Sequence, residues 1–557
     1  MVQSKLLPRA LAGAACLAGL AGLAAIRLPA CTGAPEPAAP QPQEKVVVIA
    51  AQADVVSLNP VTTTDVDSRN IIANLQLPMY QFHFDCGLVA EPGLASRWAW
   101  TADGTTLRVE LRDDVTWSDG APVTADDVAF TYGLMADPAV ASPYASMLRH
   151  LSPDARPRVI DAHTLEWGFT HSYDRMSQLA ATSAFLVPKH VLDGVPAAQL
   201  RSHPYNLAPL STGPWAWADH EQDVGWSLRP NAAFTGPADL RPHLDRVAFR
   251  VLPDTNTRKL ALLDGSVDVL AGLTGPDARE LAQRSGSVQI HARGQRRLEM
   301  IALNPKVPPL DDPEVRRGLA AALDIDRMLD VLHRDADGAM LARRATGPIS
   351  PLFCHAYDDR ITPIASDPER ARAALARAGW RDTNGDGYVD REGKELRLEL
   401  LFSSEHEPAR QIAEMSRAAL AAVGVDLVLD AQPKAMAVER RQRRDYQVAY
   451  AANDTGLFLD LGVAWRTPEA PDAPSANVTG YSNKAVDILM EFAMAEQDPV
   501  QANAYWRELQ RVVYDDQPVI FLWWSSDLVA TSSRITGTSI DVISALHDLQ
   551  RWDLTAP

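Results

Sequence analysis

The chain has 557 residues, and 53 Lys and Arg against 71 Asp and Glu give it a formal charge of −18. A chain this acidic lacks the basic surface that grips nucleic acid, and with 46% apolar and 22% charged residues it is a globular chain of several structural units rather than a disordered one. Its four cysteines, at positions 16, 31, 86 and 354, include no Cys-x-x-Cys pair, which excludes a disulfide scaffold and a thiolate zinc site.

At the N-terminus, Lys5 and Arg9 precede a run from Ala10 to Ile26 made only of Ala, Leu, Gly, Ile and Cys16. These are the charged and apolar regions of an export signal. Leu28-Pro29-Ala30-Cys31 follows and resembles the lipobox at which bacterial lipoprotein precursors are cleaved and acylated, so residues 1–30 are expected to be removed and Cys31 to carry a lipid anchor. Pro29 departs from the usual pattern, which leaves ordinary signal-peptidase cleavage or retention as a membrane anchor as alternatives. Residues 31–44 are rich in Pro and Ala and read as an extended tether. No later stretch approaches the roughly 20 apolar residues of a spanning helix. The expected location is the periplasmic or cell-surface side of a bacterial membrane, lipid-anchored.

Val46 to Ala50 has the apolar continuity of a buried strand, whereas Leu107, Val109 and Leu111 alternate with polar residues as in a half-exposed one. Asp103-Gly104 and Asp119-Gly120 are turn dipeptides between short strands, and Trp98, Trp117 and Trp215 are read as core residues. Asp312-Pro313-Glu314 supplies an N-cap, a first-turn proline and a first-turn acid ahead of Val315, Leu319 and Leu323 at helical spacing. Asp367-Pro368-Glu369 repeats the device, and Gly379 ends that helix. Strand and helix patterns interleave throughout, which predicts an α/β class.

Between a helix and a strand, Asp382, Asn384, Asp386 and Asp390 stand at positions 1, 3, 5 and 9 of a calcium-type loop, but position 12 is Gly393. A polar turn is the preferred reading, with calcium as its alternative.

Segments in fixed order carry a further resemblance. They are Ser57-Leu58-Asn59-Pro60; Glu91 to Trp98 (EPGLASRW); Asp103 to Thr106 (DGTT); Leu111 to Gly120 (LRDDVTWSDG); Val123 to Val128 (VTADDV); Val187-Pro188-Lys189-His190; Ser211 to Trp215 (STGPW); Leu263 to Asp268 (LDGSVD); and Asn477 to Asn483 (NVTGYSN). Over residues 46 to 530 the chain resembles the extracellular solute-binding protein family 5 of ABC importers, which includes oligopeptide-, dipeptide- and nickel-binding proteins. The resemblance implies a periplasmic-binding-protein-like fold of two lobes and a hinge. Its domain I would take residues 45–80, 200–296 and 525–557, domain II 81–199 and domain III 297–524. It implies a monomer that captures a peptide or peptide-like solute and delivers it to membrane permease subunits, with no cofactor. A nickel complex or a glycoside is the alternative solute.

In peptide-binding relatives an aspartate three residues after an aromatic meets the peptide's α-ammonium. Here Tyr450-Ala451-Ala452-Asn453-Asp454 puts Asn453 at that position and the acid one later. Tyr450, Asn453, Asp454, Thr212, Gly213 and Tyr481 are the candidate ligand residues. The resemblance also puts Cys86 and Cys354 in different lobes, which argues against a disulfide between them.

A secreted hydrolase is the rival class. No Gly-x-Ser-x-Gly occurs, and His406-Glu407-Pro408-Ala409-Arg410 has Arg410 where a zinc motif needs its second histidine. Pro408 is also expected to disturb a helix there. No catalytic residues are assigned. Growth of an expressing bacterium on labelled palmitate should label the protein and Cys31→Ser should abolish the label; label persisting in that variant would rule out Cys31 as the acylated residue.

Overall fold

The computed structural model describes residues 44–151, 155–468 and 475–555. Cys31, the signal segment and nearly all of the tether lie outside them. Among the described residues no helix is long and apolar enough to cross a membrane.

Val46–Ala51 forms a strand whose alternate residues are buried. It pairs in parallel with Arg246–Val251 and with Val269–Leu273. Two long antiparallel strands, Val288–Leu303 and Val519–Ser532, extend this sheet into a second half. There Val448–Asp454, Arg397–Ser403 and Asp426–Gln432 follow in order, the last two pairs being parallel. Short Ala342–Arg344 lies on the other edge of Val519–Ser532. One face of this half carries a core of Ile301, Leu319, Leu400 and Ile412 under the helices Pro313–Ala322, Ile325–His333, Pro368–Arg377 and Glu407–Ala421. The opposite face buries Leu298, Met300 and Trp524 under Lys484–Ala495 and Pro499–Asp516.

The local signals account for these elements. Asp312 and Asp367 cap their helices by accepting from the amides of Glu314 and Arg370 at 2.8 and 2.9 Å. Gly379 takes the left-handed conformation at φ 87° just past the second helix. Pro408, expected to disturb a helix, instead stands in the first turn of Glu407–Ala421, where its missing N–H has no helical partner to lose. Asp382 and Asp386 accept from the turn's own amides, and Asp390 accepts from Thr383. The carboxylates of Asp382, Asp386 and Asp390 do not gather within 4.8 Å of one another.

Residues 77–205 build a separate core around a four-stranded antiparallel sheet of Ala95–Trp100, Thr106–Leu111, Thr164–Gly168 and Arg158–Asp161. Leu107, Val109 and Leu111 face that core together with fully buried Trp117. Trp98 leans on Tyr80 with ring centroids 4.9 Å apart, and Trp215 is buried in the core beneath Val46–Ala51. The architecture is α/β and periplasmic-binding-protein-like, with two lobes.

The chain enters the 77–205 unit beside the place where it leaves. Thr212 and Gly213 donate their amides to the Leu75 carbonyl, and the Thr212 hydroxyl accepts from the Leu77 amide and donates to the Gln76 side chain. A Cβ on Gly213 would lie 2.9 to 3.0 Å from backbone atoms of Gln76 and Asn74.

One sequence expectation is overturned. Cys86 and Cys354 are joined by a disulfide although 268 residues separate them. The hairpin Tyr80–Phe84 and Leu88–Pro92 roots in the 77–205 core, and its tip, where Cys86 adopts φ 55°, reaches the loop 350–357 of the other unit. Membership of different units does not separate residues that both stand on the rim between them.

Because backbone rather than side-chain atoms occupy the space, Gly213→Ala should cost about 1–3 kcal/mol of stability. Urea unfolding checks this, and an unchanged midpoint would show that the two crossing segments are not tightly apposed.

Candidate functional site

In open α/β sheets, solutes bind beyond the carboxyl ends of the strands. Here the parallel strands Arg397–Ser403 and Val448–Asp454 end beside one another, and the segments Ser404 to His406 and Thr455 to Leu461 follow them. The loop 350–357 joins the same edge, since the Ser350 hydroxyl donates to the Gln295 carbonyl at 2.6 Å. The other unit reaches this edge through Phe82 against Phe458, Phe84 against Phe353 and Arg149 near Asp460.

Side chains alternate between the two faces of a strand, and residues paired across strands share a face. Asp454 therefore shares one face with its partner Arg297 and with Ser525. The Arg297 guanidinium lies 3.4 Å from the Asp454 carboxylate. Next to them on this face, the Glu299 carboxylate is 5% exposed and is satisfied by the hydroxyls of Tyr450 and Ser525, both at 2.9 Å. His406 stacks on Tyr450, its ring centroid 5.5 Å away, and its Nδ1 caps the following helix by accepting from the Ala409 amide. His333 packs edge-on against Trp523.

Burial, reinforced by Glu299, holds the Tyr450 phenol well above its ordinary range. Burial also lowers His406 and His333, with Glu299 opposing it in both. For Arg297, burial opposes the charge but Tyr450, Asp454 and Glu299 outweigh it and raise the value. The face thus carries a pre-satisfied polar cluster with one partly exposed ion pair at its rim.

Asn453 points to the opposite face. It forms a cross-strand row with Leu298, Trp524 and Arg343, on the side whose core includes Phe353 and receives Phe84 of the other unit. The Asn453 side chain is half-buried, and its amide has no hydrogen-bond partner among the described residues. It offers a donor and an acceptor at the strand ends. A cavity of about 580 Å³ lined by Arg343, Tyr357, Asp358, Arg360, Arg507 and Arg511 begins at the far end of this row and does not include Asn453.

The six sequence candidates thus separate. Asn453 and Asp454 stand at the edge on opposite faces, and Tyr450 lies beneath Asp454 with its hydroxyl engaged. Tyr481 gives its hydroxyl at 2.6 Å to Asp516, the last residue of the helix Pro499–Asp516. Thr212 and Gly213 are spent on the crossing segments. Glu299 and His406 escape sequence reasoning: a lone acid in a strand and a failed zinc motif carry no signal, and only pairing with Tyr450 reveals them.

A profile described as bacterial extracellular solute-binding proteins, family 5 Middle, matches residues 89–467. The oligopeptide-binding protein AppA of Bacillus subtilis is 24% identical over 465 residues, 81% of each chain. The nickel-binding periplasmic protein of Escherichia coli is 24% identical over 477 residues, 82% of this chain and 85% of its own. The crystal structure of the ABC transporter substrate-binding protein CtaP from Listeria monocytogenes superposes with a TM-score of 0.78 at 23% identity, covering 92% of this chain and all of that one. The chain belongs to the family 5 extracellular solute-binding proteins and is a binding protein, not an enzyme.

The cluster generates a pH dependence. Below about pH 6.5 the unfolded chain takes up protons that His406 and His333 refuse when folded, so their contribution is complete above that value and is lost as pH falls. His547 acts oppositely: burial disfavours its charge, but the Asp541 carboxylate outweighs burial and raises it. The melting temperature at constant ionic strength should fall from pH 7 to pH 5, and fall less in His406→Gln. An identical slope in that variant would refute a buried neutral His406.

Proposed function

We propose that this family 5 member captures a peptide or peptide-like solute between its lobes and hands it to the permease of an ABC importer, acting as a monomer lipid-anchored through Cys31. The observation that carries the reading is the Asn453 side-chain amide at the carboxyl ends of the strands, without a hydrogen-bond partner among the described residues, on the side where the other lobe packs. Relatives named for oligopeptide binding support the solute class. The solute closes the lobes because it touches both only in the closed state. The bend falls near Arg296 to Glu299 and Trp523-Trp524, where residues 45–80, 200–296 and 525–557 meet residues 297–524.

Asn453 rather than Asp454 reads the solute in this proposal, because Asp454 lies on the other face and is engaged by Arg297. An amide in place of a carboxylate removes the requirement for a free ammonium. Peptides with acetylated amino ends should therefore bind as well as free ones.

A melting-temperature screen with peptides, nickel complexes and glycosides tests the solute class, since a ligand that binds only the folded state raises the transition. A rise with nickel complexes or glycosides alone would replace the peptide reading, and chemical turnover of a ligand would refute a binding protein. By calorimetry, Asn453→Ala should cost about 0.5–1.5 kcal/mol, one neutral hydrogen bond, with Asp454→Ala costing less. A larger loss in Asp454→Ala, together with weaker binding of acetylated peptides, would reverse the assignment.

A further inference from the structure

We propose that the Cys86–Cys354 disulfide is a redox-operated latch that limits how far the two lobes open. Residues 77–205 are fastened to the half of the molecule built on Val46–Ala51. Ser142 and Tyr144 donate their hydroxyls to the Val61 and Thr63 carbonyls, each at 2.7 Å, and Thr235 donates to the Asp114 carbonyl at 2.5 Å. These residues move with that half, and the joint lies in the long strands, where the ladder between Val288–Leu303 and Val519–Ser532 is irregular from Arg293 to Arg297. Cys86 stands on one side of this joint and Cys354 on the other.

Little else holds that rim shut. Among the described residues, the direct polar links between residues 77–205 and 297–524 are one exposed hydrogen bond, Gln497 to Ser172, and the 4.0 Å approach of Arg149 to Asp460. Two aromatic edges, Phe82 with Phe458 and Phe84 with Phe353, lie on the same rim. Exposed polar pairs of this kind stabilise weakly, so the covalent bond decides whether hairpin and loop can part.

The bond is accessible, since Cys354 is exposed and Cys86 half-buried. A thiolate of a dithiol reductant attacks the Cys354 sulfur and expels the Cys86 thiolate, which takes up a proton. The reductant's second thiol then resolves the mixed disulfide and leaves Cys354 as a thiol. Two electrons and two protons pass to the protein, and the reductant becomes a disulfide.

The test needs no solute, so it is independent of what the cleft binds. Hydrogen exchange and small-angle scattering are compared for the purified protein as isolated, after phosphine reduction, and as Cys86→Ser/Cys354→Ser. EDTA is present throughout, because Cys86, Cys354 and His355 bring ligand atoms within 4.8 Å of one another and a bound metal would mimic the bridge. The latch predicts no free thiol at these positions as isolated. It also predicts at least about tenfold faster exchange of amides around residues 84–88 and 350–357, with a larger radius of gyration, in both the reduced and the serine forms. Melting curves establish that the variant is folded, and the reduced wild-type chain gives the same comparison without mutation. Superimposable scattering and unchanged exchange in all three forms would overturn the proposal, as would free thiols at Cys86 and Cys354 in the protein as isolated.

Discussion

Two antiparallel strands, Val288–Leu303 and Val519–Ser532, constrain the rest of the molecule. At about 3.3 Å per residue, sixteen residues span roughly 50 Å, and both halves of the main sheet assemble on this one ribbon. A continuous hydrogen-bonded ladder keeps the halves from separating but lets them bend where it is irregular, between Arg293 and Met300. At that bend arginine side chains reach neighbouring segments: Arg293 donates to the Asp541 carbonyl, and Arg296 to those of Thr455 and Val542. Guanidinium groups on long stems hold carbonyls while tolerating small changes of angle.

The same ribbon sets the chemistry of the candidate site. A carboxylate as buried as Glu299 is tolerable only with its hydrogen bonds made, and Tyr450 and Ser525 make them from the strands on either side. This face is therefore rigid and self-contained. The opposite face presents the Asn453 side-chain amide, which has no hydrogen-bond partner among the described residues, on the side where Phe84 of the other lobe packs. One residue of register separates the two, because a strand turns successive side chains through half a revolution.

The smaller unit is held by different means. Its two crossing segments lie so close that Gly213 has no room for a side chain, and Thr212 ties them through Leu77 and Gln76. That joint is tight, and side chains such as Ser142 and Tyr144 extend it. The far rim is joined by aromatic edges, exposed polar contacts and one covalent bond.

Local structure was largely legible in the sequence. The caps at Asp312 and Asp367, the glycine stop at Gly379, the turns at Gly104 and Gly120 and the alternation of Leu107, Val109 and Leu111 each depend on residues within a few positions, and each stands where its chemistry requires. Ordered family segments made the α/β two-lobed class legible as well. Which face of the sheet Asn453 and Asp454 each take, that Glu299 and His406 meet at Tyr450, that Thr212 and Gly213 serve a chain crossing, and that Cys86 reaches Cys354 were decided only by the tertiary structure. All four depend on strand register and on the approach of segments tens to hundreds of residues apart, and a linear sequence carries no local energetic signal for either.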